Sequence, residues 1–360
     1  MLGFLFILSA LVAYIVTRVT IGLSFRSGVL DLPNERSSHS QPVPRLGGIG
    51  IFAALVLSLA VFGLMSVTGW VGKAVFTRDV SLMLLAGVGM ALTGVYDDFH
   101  GMTPAMKLLM QFVLAGVVVA LGVRIESVGI LSMGPFPLGI LAFPLTVFWL
   151  TGFANIFNFM DGINGLAAVT AAVYSGFFSL FASWQGRPDL AVTSLVIVGG
   201  CLGFLPYNFP RARTFMGDTG SLLLGIVLAL LVVQLVQSSP NPALLIGLLL
   251  VCGVYLWDSG YTLLRRLWRG ENIFRAHRSH LYQRLAQLGL SHASITGLYL
   301  FLHLLMGCLG LVYVGCTNNL RGLILAFAGL TLVGFTAAVY WLEHRAARAK
   351  RQASGATLPE

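Results

Sequence analysis

The chain is short of acid. Only 13 of its 360 residues are Asp or Glu, against 22 Lys and Arg, and charged residues together make up 10%. Soluble domains carry about 25% charge, so a water-facing globular surface is excluded over most of the length. Cysteine is scarce as well. Cys201, Cys252, Cys308 and Cys316 lie within or at the edge of apolar stretches without Cys-x-x-Cys or Cys/His metal spacing, which leaves them as small buried hydrophobes. No soluble domain, low-complexity linker or internal repeat interrupts the pattern. What is abundant is hydrophobic side chain, 57% of the total, and that composition belongs to an all-α polytopic integral membrane protein. A net charge of +9 would suggest nucleic acid in a soluble domain. Here the basic residues fall between apolar spans, where membrane topology places them, so no nucleic-acid partner is expected.

About 20 apolar residues cross a bilayer as helix. That ruler gives eleven spans, near 2–22, 47–70, 80–96, 106–123, 139–157, 163–183, 189–207, 221–237, 242–261, 294–316 and 321–342. The first has no basic residue ahead of it and Arg18 near its far end, so it reads as an uncleaved helix with the N-terminus outside. Odd spans then exit into the cytoplasm, and the inner loops and tail hold sixteen Lys and Arg against five on the outer side. That is a strong positive-inside bias. The same count puts every polar cluster at the cytoplasmic face, while outer connections look short and chemically plain apart from a turn-rich or hairpin loop at 124–138. One transmembrane catalytic domain is expected over 1–342, followed by a polar, fraying tail at 343–360.

Acids at membrane depth are expensive unless they are paired or functional. Asp97-Asp98 ends the third span, and adjacent carboxylates repel unless a cation or proton relieves them; the plain alternative is a pair marking a helix end. Asn155, Asn158 and Asp161 recur every three residues, which would put them on one helical face, and Gly162-Ile163-Asn164-Gly165 follows. Asparagines also line ordinary helix contacts in bundles. The stretch from Asn208 to Ser221 holds Arg211, Arg213, Phe215, Gly217 and Asp218 before the eighth span. Arginines suit phosphate oxygens, a helix start favours an anion, and a carboxylate can hold a divalent cation, although arginines there would serve equally as topology anchors. A basic loop with His277, His280, Tyr282 and Arg284 is more often a headgroup anchor than a site. Together the parts suit an anionic nucleophile brought to a diphosphate at a membrane face, with a divalent metal and cations to offset the repulsion.

With these motifs in order, the chain resembles the polyprenyl-phosphate N-acetylhexosamine-1-phosphate transferases, the family that includes MraY and WecA. The resemblance runs from Asp31-Leu32-Pro33-Asn34-Glu35-Arg36-Ser37-Ser38-His39 and Pro42-Val43-Pro44-Arg45-Leu46-Gly47-Gly48, through Asp97-Asp98, Asn158-Phe159-Met160-Asp161-Gly162 and Phe215-Met216-Gly217-Asp218-Thr219-Gly220-Ser221, to the His280 loop. It implies transfer of a sugar 1-phosphate from a UDP-N-acetylhexosamine to undecaprenyl phosphate with release of UMP, on a multi-pass protein of the bacterial inner membrane with a cytoplasmic active site. It also implies a magnesium cofactor, with manganese as the alternative, held by Asp218 with Asn158. Asp97 and Asp98 would be the catalytic pair that activates or positions the lipid phosphate. Asp161, Gly162, Asn164, Asn208 and Phe215 would hold the uridine end, and Arg45 and His280 the diphosphate. Whether the first acid acts as base or nucleophile stays open; direct attack by the lipid phosphate is preferred because it is already an oxyanion.

Asn164 stands where the family often has a second Asp, and the last loop reads His280-Leu281-Tyr282 rather than a run of histidines. Asn164 can still hydrogen-bond but cannot act as an acid, and the loop form resembles WecA-like initiators of O-antigen or capsule synthesis more than the peptidoglycan branch. The sugar stays open among N-acetylglucosamine and 6-deoxy relatives such as N-acetylfucosamine and N-acetylquinovosamine, and a homodimer is left open. Asp258 is expected to form a structural ion pair, with Arg265, Arg266 or another helix. A secondary transporter for an anionic solute is the alternative class, but it would place its acids near the midplane, and a lipid-binding scaffold would not need Asp97-Asp98 together with Asp218.

Overall fold

The structure, a computed structural model, describes residues 2–33, 41–70, 77–130, 133–272 and 277–353. Residues 34–39 of the first motif, Lys73, Arg275 and the tail beyond Ala353 lie outside the described residues.

Thirteen α-helices follow in chain order among the described residues: α1 (Leu2–Ser27), α2 (Gly48–Val67), α3 (Arg78–His100), α4 (Pro104–Ala120), α5 (Ala142–Phe159), α6 (Leu166–Trp184), α7 (Pro188–Asn208), α8 (Gly217–Gln237), α9 (Leu244–Val251), α10 (Gly253–Trp268), α11 (Leu281–Gln287), α12 (His292–Gly315) and α13 (Asn318–Ala353). Nine helical segments among the described residues are long and apolar enough to cross a bilayer, and α9 with α10 makes a tenth, bent by 74°. The shorter apolar α4 has 17 residues, so the nine to ten spans among the described residues lie near the eleven expected. The fold is the expected all-α membrane bundle.

Two boundaries differ from the sequence reading. The ninth span is broken at Cys252, with Gly253 at the break, where a missing Cβ eases a kink. Beyond it α10 is two-faced: Asp258, Thr262 and Arg266 are buried while Leu263, Leu264, Leu267 and Trp268 are exposed, the pattern of a helix turning along a membrane surface. The tail is not frayed where it is described. Helix α13 runs on to Ala353, and Glu343 accepts from Arg284 Nε at 2.7 Å.

Helix α8 is the axis of the bundle, with 94% of its apolar window buried. Small residues let its neighbours close on it. A Cβ on Gly94 of α3 would run into the peptide joining Asp218 and Thr219, and one on Gly48 of α2 would strike the backbone of Met216 and Gly220. Helix α1 packs on α7 in the same way, Ser9 Oγ donating to Val196 O at 2.6 Å beside Gly199 and Gly203. The loop expected at 124–138 contains an antiparallel hairpin, β1 (Ser127–Ile130) with β2 (Met133–Pro137); another short pair, β3 (Leu30–Asp31) with β4 (Val43–Pro44), sits ahead of α2.

The ends of the bundle differ from the expectation in one respect. At the end away from the motifs, Arg187 bonds Asp189 through Nε at 3.0 Å and Nη2 at 2.7 Å, and reaches Asp79 at 2.6 Å. Thr77 donates to Asp189 at 2.7 Å and Gln234 to the carbonyl of Asp79 at 2.9 Å. That end is therefore not chemically plain: α3 and α7 are joined there by charge, and α8 is tied on by a neutral hydrogen bond from Gln234.

Candidate active site

The opposite ends of α3 and α8 carry the motif residues. Because the two helices close at Gly94, the last turn of α3 lies against the first turn of α8. Helix α8 has Met216 at its N-cap and no capping side chain of its own, so its first N–H groups need an acceptor from elsewhere. Asp98 supplies it, accepting from Asp218 N at 3.1 Å, Thr219 N at 3.0 Å and Thr219 Oγ1 at 2.7 Å. The positive end of the helix dipole favours the carboxylate there, and Arg45 Nη2 approaches it at 3.2 Å.

Asp97 has different partners. Gly101 adopts φ 72°, a left-handed turn that ends α3, and it brings the Met102 N–H to Asp97 Oδ1 at 2.6 Å. Thr103 caps α4 with Pro104 in its first turn, which sets Lys107 facing back. Its Nζ lies 2.8 Å from Asp97 Oδ2 and also pairs with Asp218. Asn158 Nδ2 donates to Asp218 Oδ1 at 3.1 Å and to Ser221 Oγ at 2.8 Å.

The adjacent acids are thus relieved separately, Asp97 by Lys107 and Asp98 by Arg45 and a helix start. The Asp98 side chain has 0% of its surface exposed, whereas Asp97 keeps 10% and Asp218 17%. The two acids expected as a catalytic pair therefore sit differently: the Asp98 carboxylate is enclosed by α8 and Arg45, while Asp97 and Asp218 each keep some side-chain exposure.

The proline-rich strip before α2 lies beside the segment leading into α8. Phe215 N donates to Pro44 O at 2.7 Å, Gly47 N to Phe215 O at 3.0 Å and Gly48 N to Met216 O at 2.9 Å. Gly217 takes φ 66°, and a Cβ there would collide with the Arg45 carbonyl and the Asp98 carboxylate. This pairing sets Arg45, whose side chain is 32% exposed, against Asp98 and leaves the Phe215 ring half-buried.

The expected stripe of Asn155, Asn158 and Asp161 holds for the asparagines only. Helix α5 ends at Phe159, so Asp161 sits in the turn beyond it, and Asn155 bonds Gln111 and the Thr151 carbonyl. Asp161 is half-buried. Burial first, then the negative charges of Asp218 and Asp98, push its pKa well above the ordinary 3.8. The turn is braced from both sides. Asn208 Oδ1 accepts from Gly165 N at 2.7 Å while its Nδ2 donates to Thr214 O at 2.9 Å, and Asn164 Nδ2 reaches Pro210 O at 3.1 Å. In this arrangement both Asn208 amide atoms are spent on holding loops together.

Gly162 packs on Tyr282, whose hydroxyl donates to Phe159 O at 2.9 Å. Beside it, His280 is buried, with Nδ1 3.2 Å from Asp258 Oδ1. The expected pairing of Asp258 with an arginine does not form. Arg266 instead donates to the Asn272 carbonyl at 2.6 Å and sits 3.6 Å from Glu271. The reason is local: residue 258 lies on the buried face of α10, against the start of α11, whereas Arg265 and Arg266 lie near the helix's end. Burial, with His280 and Arg266 nearby, lowers the His277 pKa to about 4, leaving it neutral at pH 7.

Among the described residues no group of three His, Cys, Asp or Glu converges as a cation cage. Magnesium does not require one, since it usually takes one or two carboxylates and keeps its remaining positions for water and substrate phosphates. Asp218 and Asp97, converging on one lysine at an open face, fit that demand; manganese takes the same oxygen donors. Asn158, expected beside Asp218 at the metal, donates from its amide nitrogen to Asp218 and Ser221 in this arrangement.

Lys107 is the residue the sequence reading passed over, having been counted only as a topology charge. Its signal was a single lysine at the head of an apolar span, ten residues after Asp97.

Comparison with known proteins finds relatives of this sequence. The family described as glycosyl transferase family 4 matches residues 80–236. A protein of Bacillus subtilis strain 168, named as a probable undecaprenyl-phosphate N-acetylglucosaminyl 1-phosphate transferase, is 32% identical over 298 residues, covering 82% of this chain and 80% of its own. The decaprenyl-phosphate N-acetylglucosaminephosphotransferase of Mycobacterium tuberculosis H37Rv is 32% identical over 315 residues, 80% of this chain and 76% of that one. A phospho-N-acetylmuramoyl-pentapeptide-transferase of Streptococcus pneumoniae TIGR4 is 32% identical over 259 residues, 68% and 74% of the two chains.

Proposed function

The chain belongs to glycosyl transferase family 4, the superfamily of MraY and WecA, and on that premise we propose that it moves an N-acetylhexosamine 1-phosphate from a UDP-sugar to undecaprenyl phosphate. The observation that carries the reading is Lys107 held between Asp97 and Asp218 at the end of the bundle where Arg45, Asp161 and His280 also lie. The products are undecaprenyl-diphosphate-sugar and UMP. The step would initiate O-antigen or a related surface polysaccharide, in a bacterial inner membrane with the site cytoplasmic and the N-terminus outside; the sixteen-to-five split of basic residues supports that orientation.

The lipid phosphate is an oxyanion and attacks the sugar-bearing β-phosphorus directly. The bond from that phosphorus to the bridging oxygen breaks, and the electron pair leaves with UMP. Charge accumulates on phosphoryl oxygens, so the protein's work is positioning and electrostatic relief. Lys107 would exchange its carboxylate contacts for the incoming lipid phosphate, and Asp97 would fix where that lysine rests. Arg45, one N–H spent on Asp98, has other donors for the diphosphate. Phe215 offers a ring face to uracil. Asp161, reluctant to ionise, can approach the nucleotide without adding a full negative charge beside the diphosphate. Magnesium bound at Asp218 would draw negative charge from the diphosphate.

Purified protein given undecaprenyl phosphate and a panel of UDP-N-acetylglucosamine, UDP-N-acetylfucosamine and UDP-N-acetylquinovosamine should release UMP from at least one. Release must require the lipid. UMP formation that ignores the lipid, or none with any UDP-sugar, would remove the reading.

A further inference from the structure

We infer that Asp258 is a positioning residue that fixes the orientation of His280 for the nucleotide-diphosphate substrate; this rests on the transfer reaction proposed above. The Asp258 carboxylate has no exposed surface, yet no lysine or arginine pairs with it among the described contacts. Buried acids without a cation are costly unless their oxygens are filled with donors. Here they are filled. Oδ1 accepts from Leu281 N at 2.8 Å and Thr262 Oγ1 at 3.3 Å, with His280 Nδ1 at 3.2 Å, and Oδ2 accepts from Tyr299 Oη at 2.6 Å and Tyr282 N at 3.3 Å.

The consequence for His280 is chemical. A carboxylate against Nδ1 keeps the proton on that nitrogen, and Nε2 is then the nitrogen left for a ligand. The ring also packs against two others, its centroid 5.1 Å from that of His277 and 5.9 Å from that of Tyr282, which limits its freedom to rotate. Asp258 stands just beyond the break between α9 and α10, and Tyr299 ties it to α12. Three elements therefore converge to set one imidazole whose own exposure is small. A purely packed core would place an apolar residue here; the donors arranged around one acid at the root of the histidine argue for orientation.

The test is a double-mutant cycle on the full-length protein, with Asp258→Asn, His280→Ala and both together. UMP release is measured against UDP-N-acetylglucosamine and, separately, against undecaprenyl phosphate, beside UDP affinity by calorimetry and the melting temperature. Asp258→Asn should raise the KM for the UDP-sugar about 10-fold and leave the lipid KM in place. In the His280→Ala background the same change should do little further, because it acts through the ring. An equal loss in both backgrounds, or an equal rise in both KM values, would overturn the inference. Should Asp258→Asn fail to fold, Tyr299→Phe removes one donor and leaves the carboxylate; it should weaken UDP binding in the wild type and not in His280→Ala, and the opposite pattern refutes the role. If the wild type transfers no sugar phosphate, the reaction reading fails while UDP affinity across the cycle still decides the part played by Asp258.

Discussion

Helix α3 has a cluster of acids and bases at each end, one shared with the start of α7 and the other with α4 and the start of α8, and the two clusters are built from different cations. At one end Arg187 grips Asp189 through two nitrogens and reaches Asp79 as well. A guanidinium fork fixes both partners in a plane and holds them there. At the other end Lys107 offers a single ammonium to Asp97 and Asp218. Ammonium is a point charge on a flexible stem and can trade one anion for another. The first cluster joins helices. The second is joined already, by Asp98 and Arg45 beneath it, and its lysine is left to work. The lesson is that intramembrane charge alone does not mark a site; what marks it is charge whose structural duty is carried by neighbours.

Three substitutions would break or sharpen that contrast. The largest effect is expected from Asp218→Asn, which keeps shape and removes the charge that would hold magnesium: UMP release should fall by about 100-fold or more with the melting temperature close to wild type. Unchanged turnover of folded protein in magnesium would contradict the placement of the metal.

Next is Asp161→Asn, whose effect on stability has a definite sign. The folded state holds this carboxyl's proton more tightly than the unfolded chain, whose value is near 3.8. Stability is therefore lost as pH rises above that value toward the raised one. In metal-free protein the variant should melt higher than wild type at pH 8, with the advantage closing by pH 4, while its UDP-sugar affinity falls. A constant difference in melting temperature across that range would show that ionisation of Asp161 is not the cause.

The smallest functional effect is expected from Arg187→Lys. Loss of the fork should lower stability by about 1 kcal/mol, a shift of a few degrees, and UMP release at 25 °C should stay within about twofold. A collapse of activity in stable Arg187→Lys protein would erase the distinction between the two ends.

Most of this architecture was legible in the sequence, because apolar spans of bilayer length and the side preference of Lys and Arg are strong one-dimensional signals. The acids at span ends were visible for the same reason: Asp97, Asp98, Asp161 and Asp218 stand out against apolar surroundings. What could not be read was which acid faces the cleft. Asp97 and Asp98 are adjacent and both buried, and only the approach of α8 at Gly94 encloses the Asp98 side chain fully while Asp97 keeps 10% of its side-chain surface. Lys107 was hidden because a lysine at a span end satisfies the topology rule whether or not it works. Of the partners expected for Asp258, the arginines do not meet it and another helix does, through Tyr299, because helical spacing along α10 says nothing of a loop that returns to it some 20 residues later. The cluster at the far end went unseen since Asp79, Arg187 and Asp189 meet only where the start of α7 is brought to the start of α3.

Lys107→Arg tests the central claim most directly, since it preserves the positive charge while replacing the point donor with a fork. Turnover measured as UMP release at saturating UDP-sugar and undecaprenyl phosphate, on protein whose melting temperature matches wild type, should fall by at least about 10-fold. Wild-type turnover in that variant would mean that any fixed cation suffices between Asp97 and Asp218, and that the two ends of the bundle do not differ in the way described.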